Sequence, residues 1–139
     1  MTILKRNAFD IPDADQCLCR IWDYTIHHPT LTIKVTPPKP QKEFFIVLHL
    51  PIYFEGPMLW QGAGFNVVEP RKYPFLRETM KHYGKDYQIY EISFVSKGVI
   101  PSVYKAFLSV WPFPKPRYHG VIILARGGLV VHDDSSETL

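Results

Sequence analysis

The stretch TLTIKVTPPKPQKEFFIVLHL (Thr30–Leu50) decides how this chain is built. Leu31, Ile33 and Val35 alternate with Thr32, Lys34 and Thr36, the period-two pattern of a strand with one buried face. TPPKPQKE then packs three prolines and two lysines into eight residues and reads as a connection. Beyond it, Phe44, Ile46, Leu48, Leu50, Ile52 and Phe54 resume the alternation. Folded back antiparallel, Val35 faces Phe44, Ile33 faces Ile46 and Leu31 faces Leu48, so both strands send apolar residues to the same side. A slip of one residue would turn every side chain to the wrong face, so the pairing is discriminating.

Upstream, RIWDYTIHHPTLTIKV (Arg20–Val35) folds about His28-Pro29. Ile26 is then expected opposite Leu31, Tyr24 opposite Ile33 and Trp22 opposite Val35. On the reverse side Thr25 meets Thr32 and Asp23 meets Lys34, combinations that favour antiparallel neighbours. Pro29 suits a four-residue loop in this register better than a two-residue one.

Downstream, FEGPMLWQGAGF (Phe54–Phe65) raises the choice between a phosphate-cradling loop and a strand. Turning at Glu55-Gly56 pairs Ile52 with Leu59, Leu50 with Gln61, Leu48 with Ala63 and Ile46 with Phe65. The reverse face sets His49 opposite Gly62 and Val47 opposite Gly64, with Tyr53 and Trp60 near. No lysine or Ser/Thr follows at P-loop spacing and no helix start is in place, so the glycines are read as a gap on one face of a strand. Ile26, Leu31, Leu48 and Ala63 would then form one row across four strands.

YPFLRETMKHYGKD (Tyr73–Asp86) predicts a short helix, with Pro74 in its first turn, Leu76, Met80 and Tyr83 on one side, and Gly84 as its stop. DYQIYEISFVS (Asp86–Ser96) predicts a strand. IPSVYKAFLSVWP (Ile100–Pro112) fits helical spacing at Ile100, Val103, Tyr104, Phe107, Leu108 and Trp111, and alternation at Tyr104, Ala106, Leu108 and Val110; helix is preferred. PFPKPRY (Pro112–Tyr118) is a proline-stiffened connector, and HGVIILARGGLVVHD (His119–Asp133) gives one or two final strands, with Gly127-Gly128 a turn or bulge. The expected fold is a single α+β domain over residues 1–139, mainly β. Its antiparallel sheet begins with a four-strand meander, curved or barrel-like, with one or two short helices and loosely ordered ends at 1–15 and 133–139.

Composition agrees. The chain has 46% hydrophobic and 21% charged residues, normal for a globular domain, while 14% aromatics and 13 prolines suit β structure with many turns. A formal charge of +3 is too mild to indicate nucleic acid. The longest apolar stretch, FFIVLHLPIYF, is 11 residues with an internal His and Pro, too short to span a bilayer. MTILKRNAFDIPDAD lacks a signal-peptide core, and with two cysteines a reducing, cytoplasmic setting is expected.

Cys17 and Cys19 could be half of a zinc site, but no second cysteine pair exists, and they are read as small hydrophobes. His27 and His28 are read as exposed turn residues that bind no metal. No GxSxG, HExxH or dinucleotide fingerprint occurs. The expected function is a non-catalytic binding or adaptor domain without cofactor or metal, serving a protein partner or small ligand, with a homo-oligomer compatible. One alternative is a ligand-binding or enzymatic pocket built from His49, Tyr53, Trp60, Gln61, Gly62 and Gly64, the glycines opening its floor. A second is a weak single-stranded nucleic-acid binder using aromatic rings. The face carrying Val47 and His49 is polar over its first strands and apolar over the next, so a cover is expected on it.

Overall fold

A computed structural model describes residues 3–94 and 120–132. The described chain is mainly β, with two five-stranded antiparallel sheets and one α-helix. The first sheet has the order β1 (Ile3–Lys5), β7 (Asn66–Val68), β8 (Gln88–Ser93), β9 (Gly120–Ala125), β5 (Tyr53–Glu55). The second has the order β10 (Gly127–His132), β4 (Phe44–His49), β3 (Thr30–Thr36), β2 (Leu18–Thr25), β6 (Leu59–Gln61).

The β3–β4 pairing is as the alternation requires: Val35 opposes Phe44, Ile33 opposes Ile46 and Leu31 opposes Leu48. These inward side chains are 0–7% exposed and form the centre of the core. The β2–β3 register differs from expectation. The loop has four residues, Ile26–Pro29, but it lies one residue earlier, which shifts the pairing by two, so Tyr24 opposes Leu31 and Thr25 opposes Thr30. There the Thr25 hydroxyl donates to the His28 carbonyl at 2.8 Å and lies 2.8 Å from the Thr30 hydroxyl. The ladder then shifts between Ile21 and Asp23, leaving Trp22 unpaired. Such a bulge changes which parity of residues faces inward. Cys19 and Ile21 therefore oppose Val35 and Ile33, in place of Trp22 and Tyr24. Lys34 opposes Arg20 and not Asp23; its ammonium is 3.5 Å from the Glu43 carboxylate.

The fourth strand of the expected meander is also different. β4 takes β10 as its second neighbour, with Ile46 opposite Val130, and the Leu59–Gln61 strand pairs with β2 at the far edge. Ala63 is therefore not in one row with Leu31 and Leu48, and Ile26 is 78% exposed in the turn.

The expected curvature is taken up where the chain passes from one sheet to the other. β4 leads into β5 through Leu50, whose φ is +48°, and Pro51. Beside it β9 leads into β10 at Arg126, whose amide donates to the His49 carbonyl at 2.9 Å. Gly62–Phe65 carry β6 into β7. The chain changes sheets at these corners, and the ladders stay two sheets without closing a barrel.

The first sheet is covered on both faces. Val67, Tyr90, Ile92, Val121 and Ile123 join the central core, while Val68, Ile89 and Leu124 pack with Leu76 of α1 (Pro74–Tyr83). As expected, α1 starts at Pro74 and ends at Gly84, whose amide donates to the Met80 carbonyl at 3.2 Å. The final segment forms two strands, with Gly127 at the sheet change. The N-terminal residues, expected to be loose, supply β1 and a 3-10 turn at Ala14–Gln16. The expectations for 100–112, for 112–118 and for the C-terminal tail lie outside the described residues. No helix among the described residues is long and apolar enough to cross a membrane.

Candidate functional site

Because α1 covers the first sheet, the outer face of the second is the broad sheet surface left open among the described residues. Its composition follows from the inner alternation. With Leu31, Ile33, Val35, Phe44, Ile46 and Leu48 turned inward, Thr32, Lys34, Phe45 and Val47 must turn outward. The ladders set Lys34, Phe45 and Val131 in one row and Thr32, Val47 and Leu129 in the next. Thr30, His49 and Gly127 make the row at the corner. The face is thus polar over β2 and β3 and apolar over β4 and β10. Leu129 and Val131 remain 44% and 39% exposed.

Trp22 caps this surface. Freed from the ladder by the bulge, its indole lies 6.1 Å from the Phe45 ring and is 52% exposed. The Lys34 ammonium sits 4.3 Å and the Arg20 guanidinium 5.1 Å from its ring centroid. Cations at such range are attracted by the ring quadrupole. Glu43 balances Lys34 and accepts from Thr36 at 2.6 Å. The Thr36 bond, and secondly the Lys34 charge, hold the Glu43 carboxyl below its ordinary range against the opposing effect of its slight burial. The arrangement is a large aromatic ring braced by two cations at the rim of an apolar strip.

The residues expected to form a pocket are not brought together. His49 ends β4 on the outer face, half-buried, whereas Trp60 lies in β6, separated from β4 by β3 and β2. Trp60 points into the core, 5% exposed, and its Nε1 donates to the Gly62 carbonyl at 2.8 Å. Tyr53 is in the first sheet, 5.9 Å from the ring of Phe75. Gln61 donates through Nε2 to the Asp15 carbonyl at 2.9 Å, and its Oε1 is buried without a partner among the described residues. Gly62 and Gly64 belong to the corner. The Gly62 amide donates to the Cys17 carbonyl at 2.9 Å, and its carbonyl also accepts from the Cys19 thiol at 3.4 Å.

Gly64 does open on space, but elsewhere than expected. It lines a cleft of about 560 Å3 with Arg6, Asn7, Asp13, Asp15 and Asn66. Asn7 stiffens one wall: its side chain donates to the Ile11 carbonyl at 3.0 Å and accepts from the Ile11 amide at 3.1 Å. Its own amide donates to Asn66 Oδ1 at 3.0 Å. The lining mixes acids, amides, one base and the Ser93 hydroxyl.

Cys17 and Cys19 are both fully buried. Burial first, and the neighbouring Cys17 second, push the Cys19 thiol far above its usual range; burial and then Asp13 raise Cys17. Such thiols pack as small hydrophobes. His27 and His28 are exposed in the turn. Among the described residues no three His, Cys, Asp or Glu side chains converge as metal ligands would.

Trp22, Phe45, Leu129 and Val131 are the surface residues that local alternation did not single out. The available signal was the adjacency of Ile21 and Trp22: Cys17, Cys19 and Ile21 keep one phase, Trp22, Tyr24 and Ile26 the other, and a phase break within an apolar strand marks a bulge. Compared with protein-family models, curated proteins and solved structures, the chain matches none. Its class therefore rests on architecture alone, a two-sheet antiparallel β domain whose second sheet leaves a partly apolar face open among the described residues.

Proposed function

We propose that the chain is a non-catalytic binding domain that docks a protein partner on the outer face of its second sheet. One observation carries this: Trp22 is 52% exposed yet braced by Arg20, Lys34 and Phe45 at the rim of the apolar strip of β4 and β10. Aromatic and arginine side chains on a desolvatable patch are the residue types that dominate binding energy at interfaces. The cations at the rim favour a partner that presents acidic residues around an apolar centre. His49, at the corner row, borders the same surface. The inward placement of Trp60 and its separation from His49 favour the face over a pocket built from those two residues.

The test is site-specific photocrosslinking in cells, with a photoreactive residue at Val47 on the face and a control at Arg71. Protein adducts should form at position 47, not at 71, and should be lost on Trp22→Ala. Equal labelling at both positions, or labelling indifferent to Trp22→Ala, would sink the proposal. Adducts removed by nuclease would transfer the face to single-stranded nucleic acid, where an exposed ring between cations also serves.

A further inference from the structure

Among the described residues, the two sheets end on four strands: β1 and β5 in the first, β10 and β6 in the second. Three are guarded in the usual ways. β1 (ILK), β5 (YFE) and β6 (LWQ) have three residues each, too few to template a long ladder, and β1 and β5 end on the charged Lys5 and Glu55. β10 is built otherwise. It runs for six residues, GGLVVH, without an acid, a lysine, an arginine or a proline. Among the described residues its backbone pairs with β4 alone. A six-residue edge without a charge or proline within it is a template for a further strand.

We infer that β10 pairs antiparallel with β10 of a second copy of this chain, continuing the second sheet across a two-fold axis. The strand's own sequence selects that occupant. A ladder centred on Val130 sets Val130 opposite Val130 of the partner subunit. Leu129 then opposes the partner's Val131, and Val131 the partner's Leu129. Gly128 opposes the partner's His132, so the ring meets a position without a side chain. Every contact over Gly128–His132 is apolar on apolar or ring on glycine, an isologous and self-complementary arrangement. No like charges meet, and the chain's net charge of +3 is carried elsewhere. On the outer face Leu129 and Val131 lie beside Val47 and Phe45, so the axis joins two apolar strips into one, with a Trp22 at each end. The edge, and not the face, makes this contact; it stands whether or not the face docks a partner.

Sedimentation velocity over a concentration series from micromolar to near-millimolar tests it. The wild-type chain should reach twice the chain mass. L129K/V131K places lysine opposite lysine at both pairs and should sediment as a monomer with an unchanged circular dichroism spectrum. L129K/V131E places lysine opposite glutamate twice in the same register and should recover the dimer, in a salt-sensitive form. A wild-type chain that stays monomeric throughout overturns the inference. So does a dimer that L129K/V131K leaves intact, or one that both double variants abolish equally. Should a variant not fold, amide exchange of the wild type decides: Gly127–His132 must gain protection as concentration rises, and unchanged protection overturns the pairing.

Discussion

Gly62 and Gly64 look alike in sequence, and the structure predicts opposite responses to the same substitution. Gly62 holds φ at +126°, a conformation that side-chain-bearing residues rarely adopt. Gly62→Ala should either retain that backbone, at a strain of about 1–3 kcal/mol, or relax it. Relaxation moves its carbonyl away from Trp60 Nε1 (2.8 Å) and the Cys19 thiol (3.4 Å), and its amide away from Cys17 (2.9 Å). Each such bond contributes roughly 0.5–1.5 kcal/mol, so the two routes cost similar amounts. The expected loss is on the order of 2–3 kcal/mol, a large part of the ~5–15 kcal/mol typical of a domain. That corresponds to a drop of about 5–12 °C in Tm for a chain of this size. Gly64 has no left-handed φ, and a methyl group there would meet no atom within 4 Å. Gly64→Ala should range from neutral to about 1 kcal/mol more stable, because it only restricts the unfolded chain. Urea unfolding followed by tryptophan fluorescence measures both, with an unchanged m-value confirming that midpoint differences are stability differences. A Gly62→Ala variant within about 0.5 kcal/mol of wild type, the scatter of neutral surface changes, would refute the corner geometry. Equal losses at the two glycines would refute the distinction between them.

Cys17 and Cys19, buried and with raised thiol pKa values, should react with a colorimetric thiol reagent only in denaturant; rapid release of two equivalents by the native protein would contradict the core. Burial, and next the bond to Glu91, raise the Tyr73 phenol, while burial raises Tyr90 and burial and then Glu55 raise Tyr53. In the unfolded chain these phenols ionise near pH ~10, before they do in the folded one, so stability should fall as pH rises beyond that value. Absorbance titration and urea midpoints check this, and stability that rises from neutral to strongly alkaline pH would reverse the sign. Trp22→Ala should cost no more than about 2 kcal/mol, since its two exposed cation–π contacts contribute ~0.5–1 kcal/mol each. A loss several times larger would place the indole in the core.

What the sequence determined by itself was local. The alternation of Leu31, Ile33 and Val35 with Phe44, Ile46 and Leu48 predicts the β3–β4 register pair for pair, because a one-residue slip would have buried Lys34 and Thr32. Pro74 and Gly84 bound α1 for equally local reasons, a fixed φ at one end and a missing side chain at the other. The face beside Val47 and His49 was legible as polar and then apolar, although not what borders it. Tertiary structure decided the neighbours. Alternation says which residues share a face but not which strand lies alongside, so β4 could take Gly127–His132, some eighty residues away, in place of the nearer Leu59–Gln61. The bulge at Trp22 was settled the same way. Cys19 and Ile21 fill core space against Val35 and Ile33, and one unpaired residue reconciles that packing with the turn at Ile26–Pro29, leaving the indole outside. The glycines illustrate the limit most directly. A residue without a side chain has no hydrophobic phase, so the difference between a strand gap and a corner at Gly62 lies entirely in the backbone angle that the two sheets impose.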